Sequence, residues 1–251
     1  MREVDTPPLE FVESDGEPMG ETELHVEQIL ELLAALKNLA KQRGDQSAHA
    51  GANLNFYYDR TNPAKRVTPD VFFVRGLADP TRPRRSFKLW EEGRAPELIL
   101  EIASRATWEE DLGRKKELYR DVFGTSEYLV FDPEEGILEG GPLLAWRLSG
   151  RAYRRVGGAG EVESKVLGAT FRVIRGRLRI VDEQGNPVPG LESFRDGFEA
   201  GLQEAVTRLL ETRFGPLAPP LRARLLELDA DELKALLARA AAASSIDDAL
   251  P

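Results

Sequence analysis

Hydrophobic residues recur at intervals of three and four between residues 21 and 43, with polar and charged residues between them. This spacing places the apolar side chains on one face of a helix. Gly44, shortly after the last of them, is a typical helix end. The pattern therefore predicts an amphipathic helix over residues 21–43. Its predicted buried face consists of Leu24, Ile29, Leu32, Leu33, Leu36 and Leu39.

After residue 50 the pattern changes to short apolar or alternating runs, which favour strands. Such runs occupy residues 53–58, 71–74, 98–103 and 127–131. The third run is apolar at every position except Glu101, which indicates a strand covered on both faces. Before the fourth run, Thr107 can cap a helix that continues to about residue 122. Strand, helix and strand together predict a βαβ-like unit.

Residues 142–183 alternate in short pieces separated by glycines, which predicts a small antiparallel meander. Its predicted strands are 143–148, 153–156, 171–174 and 178–181. From residue 191 the period becomes helical again, and we place a domain boundary near residue 190. The predicted organisation is an acidic, disordered leader over 1–20, an α/β domain over 21–190 and a helical region over 191–251.

The C-terminal region carries an apolar stripe at helical spacing. Its members are Phe194, Phe198, Leu202, Val206, Leu209 and Leu210. Because this is a large apolar area for one helix, we expect the stripe to be buried. A second copy of the chain would cover it in a homodimer, which is our prediction for the assembly. An intramolecular bundle with the helices predicted after residue 220 is the alternative.

The composition restricts the chemistry of the chain. There are no cysteines, so disulfides, thiolate metal sites and cysteine nucleophiles are excluded. A metal ion must be held by carboxylates, by His25 or His49, or by backbone carbonyls, an oxygen-rich set that suits Mg²⁺ or Mn²⁺. No apolar run approaches the roughly 20 residues of a membrane span, and the acidic N-terminus has no signal core. These features predict a soluble, cytoplasmic protein without a membrane partner.

The formal net charge of −9 argues at first against binding nucleic acid, since phosphate contacts need cations. However, residues 1–31 hold ten acids and one base, which accounts for −9 by itself. Residues 60–88, in contrast, hold eight bases and two acids. Arg84 and Arg85 in this segment are candidates for contacts with DNA phosphates. A solvated charge run is the alternative for such a cluster.

Three residues carry the candidate chemistry, and each has a structural alternative. Asp70 follows a proline at the entrance of a strand, where an acid is either a turn residue or a metal ligand. Glu101 lies inside a buried strand and needs a cation, either a metal ion or an arginine such as Arg105. Lys115, on the following helix, pairs either with Glu101 or with Asp111. Two acids and a lysine are the minimum set for Mg²⁺-assisted phosphodiester hydrolysis.

Four segments, in this order along the chain, resemble the Uma2 family, which belongs to the PD-(D/E)XK nuclease superfamily. They are PDVFFV at 69–74, LILEIAS at 98–104, DLGRKKELY at 111–119 and EYLVFDP at 127–133. The resemblance covers about residues 20–185. It implies an α/β fold with a restriction-endonuclease-like mixed sheet flanked by helices, to which this chain adds a C-terminal helical region.

The resemblance also implies that Asp70 and Glu101 are ligands of Mg²⁺ or Mn²⁺. The superfamily pattern places a lysine two residues after the second acid, where this chain has Ala103. Uma2 proteins resemble one another in carrying a lysine on the following helix instead, which corresponds to Lys115. Three further residues are weaker candidates for the site. They are Glu97 as an additional ligand, Tyr119 on the helix face of Lys115, and His25 on the first helix.

Two functions are compatible with these residues. The first is a Mg²⁺- or Mn²⁺-dependent DNA endonuclease, favoured by Asp70, Glu101 and Lys115. The second is a nuclease-fold protein without catalysis that binds or assembles through its C-terminal helices, favoured by Ala103 and by the acidic composition. A sugar or phosphate enzyme of another α/β fold has little support, because the sequence has no Gly-rich phosphate loop, nucleophile elbow or HExxH motif.

Overall fold

The computed structural model describes residues 22–158, 160–218, 221, 225, 228 and 230–249, without the side chains of residues 192–196, 199–200 and 247. The predicted acidic leader, residues 1–20, lies outside these described residues. The chain divides into two compact units, Met1–Gly190 and Leu191–Pro251, each with its own hydrophobic core.

A six-stranded mixed sheet forms the centre of the first unit, with the strand order β1-β4-β6-β7-β8-β9. The bounds are His49–Ala52 for β1, Val71–Val74 for β4, Leu98–Ile102 for β6, Glu127–Phe131 for β7, Leu143–Ser149 for β8 and Ala152–Val156 for β9. Strands β6 and β7 run parallel and are joined by a helix, whereas the other neighbours pair antiparallel. The predicted mixed sheet flanked by helices is therefore confirmed.

Helix α1 (Glu23–Gln42) packs on one face of this sheet. It begins after Thr22, whose hydroxyl accepts a hydrogen bond from the His25 amide. It ends before Gly44, whose φ of +65° is the left-handed conformation that glycine adopts without strain. The β6 side chains in the core beneath α1 are Leu98, Leu100 and Ile102.

Helix α3, over residues 108–123, joins β6 to β7 and covers the opposite face of the sheet. It consists of two α-helical turns, Trp108–Glu110 and Lys116–Leu118, that alternate with two π-helical turns, Asp111–Lys115 and Tyr119–Phe123. Gly113 has φ and ψ of −105° and kinks the first π-helical turn. Because side chains alternate along a strand, the β6 residues on this side are Ile99 and Glu101.

Two three-stranded sheets complete the first unit. One contains β3 (Arg66–Val67), β2 (Asn55–Tyr57) and β5 (Ser86–Lys88), and the short helix α2 (Leu89–Glu92) follows it. The other contains β10 (Glu161–Ser164), β11 (Ala169–Ile174) and β12 (Arg177–Val181).

The prediction of one meander over residues 142–183 is wrong. Strands β8 and β9 extend the central sheet, whereas β10 to β12 form a sheet of their own. Gly157 follows β9 directly with a φ of +75°, and the chain leaves the central sheet there. Gln28 of α1 then anchors β12, because its side-chain amide exchanges two hydrogen bonds with the backbone of Leu178.

The second unit contains helices α4 (Leu191–Phe214), α5 (Ala230–Ala242) and α6 (Ile246–Ala249). Of the predicted stripe on α4, Val206 and Leu210 are fully buried in a core shared with α5, whereas Phe198 is 52% exposed. The side chain of Phe194 lies outside the described residues. The intramolecular bundle therefore accounts for the buried part of the stripe, and the predicted homodimer gains no support. Within the described part of the chain, no helix combines the length and apolar character that crossing a bilayer requires.

Candidate active site

Asp70 and Glu101 lie next to each other where β4 begins beside β6. The residues adjacent to them, Val71 and Leu100, are direct partners in the antiparallel ladder. The Asp70 amide donates to Glu101 Oε2 at 3.1 Å, and the Ile102 amide donates to Asp70 Oδ2 at 2.7 Å. The Glu101 carboxylate thus accepts a hydrogen bond from the backbone next to β4, and the Asp70 carboxylate accepts one from the backbone of β6. These two bonds fix the acids side by side.

Glu101 is completely buried, and both of its carboxylate oxygens are engaged. The Tyr119 hydroxyl donates to Oε1 at 2.7 Å, and the Lys115 ammonium lies 3.3 Å from Oε2. Burial raises the pKa of Glu101 well above its ordinary value. The charge of Lys115 opposes this rise, whereas the neighbouring carboxylates of Asp70 and Asp111 add to it.

Lys115 extends from α3 towards these carboxylates, and only 13% of its side chain is exposed. Its ammonium lies 2.9 Å from Asp111 Oδ1, so both partners considered for it in the sequence are present at once. Burial lowers the pKa of Lys115, but the charges of Glu101, Asp111 and Asp70 outweigh burial and raise it. The ammonium is therefore charged at neutral pH.

Asp111 belongs to the same cluster, although the sequence analysis considered it only as an alternative partner for Lys115. Its carboxylate is completely buried, and the Thr107 hydroxyl donates to Oδ2 at 3.4 Å instead of capping α3 as predicted. Burial raises the pKa of Asp111, and the charge of Lys115 opposes that rise. The spacing of four residues between Asp111 and Lys115 indicated from the sequence that the two could form an ion pair. It could not show that both side chains are buried.

His25 and Tyr119 are also brought to the site. His25 lies in the first turn of α1, and its Nε2 is 3.5 Å from Asp70 Oδ2. Tyr119 lies four residues after Lys115 and reaches Glu101 through its hydroxyl. Burial raises the pKa of Tyr119 well above its ordinary value, so the hydroxyl keeps the proton that it donates to Glu101.

Glu97 and Arg105 do not join this cluster. Glu97 precedes Glu101 by four residues on extended backbone, a separation of roughly 13 Å that one ion cannot bridge. Arg105, the alternative partner for Glu101, has a side chain that is 77% exposed and lies 3.3 Å from Glu134. The interpretation of Glu101 as half of a salt bridge with Arg105 is therefore wrong.

Arg84, a predicted DNA contact, is engaged inside the protein. Its side chain is 2% exposed, and its guanidinium donates to both oxygens of Glu92 at 2.9 and 3.0 Å. It also donates to backbone carbonyls of its own loop. The arginine thus stabilises the loop before β5 and is not presented to a phosphate. Arg85, its neighbour, is exposed.

The charges of the cluster favour a further cation. Asp70, Glu101 and Asp111 carry three negative charges when ionised, whereas Lys115 supplies one positive charge. Asp111 Oδ1 is buried against the Lys115 ammonium at 2.9 Å, and carboxylate oxygens of this kind are the ligands that Mg²⁺ and Mn²⁺ prefer. The donor chemistry therefore fits a divalent ion, with Asp70 and Glu101 as its expected ligands. Among the described residues, no three acid or histidine side chains already form a ligand cluster.

A family model matches the part of the chain that carries this cluster, and a solved structure also resembles the chain. A family model described as Uma2, "Putative restriction endonuclease", matches residues 4–166, which is more than half of the chain. The crystal structure of "a putative nuclease belonging to DUF820" from Anabaena variabilis ATCC 29413 matches at 16% identity, over 60% of this chain and 76% of that chain, with a TM-score of 0.42. No curated protein matches the chain.

Proposed function

The chain belongs to the Uma2 family, and on this premise we propose that it is a Mg²⁺- or Mn²⁺-dependent endonuclease that hydrolyses phosphodiester bonds in DNA. The observation that carries the proposal is the convergence of Asp70, just before β4, Glu101 of β6 and Lys115 of α3 on one largely buried cluster. Two carboxylates beside an ammonium are the groups that metal-assisted phosphodiester hydrolysis requires.

Asp70 and Glu101 would hold the ion, which when bound polarises a phosphate and lowers the pKa of a coordinated water. Tyr119 and the Asp70 amide orient the Glu101 carboxylate by their hydrogen bonds, as outer partners of a metal ligand do. Lys115 remains protonated and is the donor placed to stabilise the negative charge that develops on the phosphate.

Lys115 has a position from which it can replace the lysine that is absent at residue 103. Residues 101 and 103 lie on the same face of the strand because side chains alternate, so a lysine at 103 would point towards α3. In this chain Ala103 is small and buried on that face. The ammonium reaches Glu101 from the helix above instead, at 3.3 Å. The two arrangements therefore place the same charge beside the same carboxylate.

His25 and Asp111 have supporting roles in this proposal. The imidazole beside Asp70 is the group placed to accept or deliver a proton near the reacting atoms. Asp111 holds Lys115 by an ion pair of 2.9 Å and so orients its ammonium. Asp111 thus acts on the geometry of the three central groups, whereas His25 adds a group for proton transfer beside them.

One observation favours the second candidate function, a nuclease-fold protein that does not cut. The ammonium of Lys115 already lies between Glu101 and Asp111 and neutralises part of their charge, as a metal ion would. If this internal cation excludes the divalent ion, the cluster is a structural element and the protein binds nucleic acid or a partner without hydrolysis.

The test is cleavage of supercoiled plasmid and of single-stranded DNA by the full chain with Mg²⁺, Mn²⁺ or Ca²⁺. We expect Mg²⁺ and Mn²⁺ to support cutting, and Ca²⁺ to support binding better than cutting, because its loose coordination positions water poorly. Glu101→Gln should abolish cutting, because it removes a charge that holds the ion. Glu97→Gln is the matched control, since this acid precedes the same strand but lies roughly 13 Å away.

The outcomes separate the two candidates. Equal cutting by the parent and by Glu101→Gln would contradict the assignment of the site. Calorimetric titration of the parent and of Asp70→Ala measures whether Mg²⁺ or Mn²⁺ binds at the cluster. If the parent cuts neither substrate and shows no metal binding that depends on Asp70, the non-catalytic function replaces the endonuclease.

A further inference from the structure

A second group of cations is arranged around Trp146 of β8 and includes Lys116, the residue of α3 that follows Lys115. The Lys116 ammonium is 4.7 Å from the centre of the indole ring, and the Arg155 guanidinium is 5.6 Å from it. The indole stacks on Tyr128, with ring centres 5.8 Å apart and planes inclined by 23°. The ring is therefore fixed by the core, and both cations rest on a rigid surface.

The charges of Lys116 and Arg155 are not neutralised by acids. Within the described chain neither side chain has a carboxylate within ion-pair distance. Two other cations of α3 do have such partners. Arg114 pairs with Glu110, and Arg120 pairs with its neighbour Asp121. Burial lowers the pKa of Lys116, and the charges of Arg120 and Arg155 lower it further, whereas Glu117 opposes them. The residues around Trp146 thus form a patch of mutually repelling cations, for which a bound anion is the natural complement.

The position of these cations relates them to the proposed cleavage site. Lys115 and Lys116 are consecutive, but Lys115 contacts Glu101 of β6 whereas Lys116 contacts Trp146 of β8. One strand, β7, lies between β6 and β8, and Trp146 is in register with Ile99, two residues before Glu101, so the two contacts are about 12 Å apart on the sheet. Phosphates along one strand of a duplex advance about 3.4 Å per base pair. A backbone bound in the cleavage site therefore reaches the second group within a few base pairs.

We propose that Lys116 and Arg155, held on Trp146, bind phosphates of the DNA backbone beside the cleavage site. The choice of DNA as the anion rests on the proposed function. The cations themselves suit any phosphodiester backbone, because an ordered pair of positive charges loses little side-chain entropy when it binds two phosphates. The contacts carry no base information, so the inferred role is positioning of the duplex and not sequence recognition.

The experiment measures binding of a short fluorescent DNA duplex to the full chain by anisotropy, in Ca²⁺, over a series of salt concentrations. Each phosphate contact contributes about 0.9 to the slope of log affinity against log salt. The double variant Lys116→Gln with Arg155→Gln should therefore reduce that slope by about 1.8. If the parent and the variant bind equally at 1 M salt, this change in slope corresponds to a loss of affinity on the order of 60-fold at 0.1 M salt.

Two controls accompany the double variant. Lys116→Arg with Arg155→Lys keeps both charges and should keep the slope. Arg154→Gln removes the adjacent arginine of β9, whose side chain points to the opposite face of the sheet because side chains alternate. It should leave the slope unchanged. Thermal melting of each variant confirms that the fold is intact before binding is compared.

Three results would overturn the inference. They are an unchanged slope in the double variant, a parent chain that does not bind the duplex at low salt, and tighter binding of an RNA duplex than of DNA. The proposed function fails in a different way, because it predicts cutting that Glu101→Gln abolishes. DNA that is bound with a slope dependent on Lys116 and Arg155, but is never cut, supports this binding surface and contradicts the endonuclease.

Discussion

Replacing Lys115 by methionine tests the central claim that one ammonium holds the buried acids together. Methionine has a similar length but no charge, so Glu101 and Asp111, both completely buried, lose the cation that lies 3.3 and 2.9 Å from them. Removing one partner of a buried ion pair costs about 3–5 kcal/mol, because the other partner remains desolvated and unpaired. For a chain of this size we expect the melting temperature at pH 8 to fall by roughly 6–20 °C.

The loss should depend on pH in a defined direction. Because burial raises the pKa of Glu101 and of Asp111, the folded chain holds their protons more tightly than the unfolded chain does. The free energy of unfolding therefore decreases as pH rises from the ordinary carboxyl pKa into the raised range. Without Lys115 the two pKa values rise further, so the decrease should be steeper and should extend to higher pH. As pH falls below the raised pKa values, both folded chains hold these protons, so the variant should approach the parent.

The assay is urea unfolding of the full chain between about pH 4 and 8, first without divalent ions and then with Mg²⁺ or Mn²⁺. If the acids bind a divalent ion, an ion concentration of 100 times the Kd should restore about 2.7 kcal/mol to the variant. Lys116→Met is the matched control; it removes a cation without a carboxylate partner and should cost about 1 kcal/mol or less. A Lys115→Met chain within about 1 kcal/mol of the parent at pH 8, with the same pH dependence, would refute the reasoning.

Three further changes give distinct results. Asp111→Asn should slow cleavage by roughly 10–100-fold without abolishing metal binding, because it loosens the lysine but leaves the proposed ligands; loss of metal affinity in calorimetry would instead make this acid a ligand. Gly51→Ala places a methyl group 2.3 Å from Cζ of Phe72 and should lower the free energy of unfolding by about 1–3 kcal/mol, whereas Gly136→Ala, where a Cβ meets nothing within 4 Å, should change it little in the same urea titration. Arg84→Gln should destabilise the chain by about 3 kcal/mol and leave the salt slope of DNA binding unchanged. A slope lowered by about 1 would instead show that this arginine contacts a DNA phosphate.

The strands and helices with the strongest periodicity were predictable from the sequence. The bounds of β4 and β7 agree with the predicted runs 71–74 and 127–131, because both strands are apolar on two covered faces. Strands β1, β3, β5 and β10 were not predicted. They have two to four residues each, too few for an alternating pattern to stand out from the loops around them.

The sequence also predicted which residues come together around Glu101, because a glutamate inside an apolar strand is costly without a cation. Asp70, Glu101 and Lys115 do come together, from three separate elements. The tertiary structure alone decided that Asp111 is fully buried beside them. It also decided that Arg84 is held inside the protein. The period of a segment indicates which face of it is apolar, but not which other segment packs on that face or how completely water is excluded there. The environment of each charge, and hence its pKa and its partners, follows from that packing.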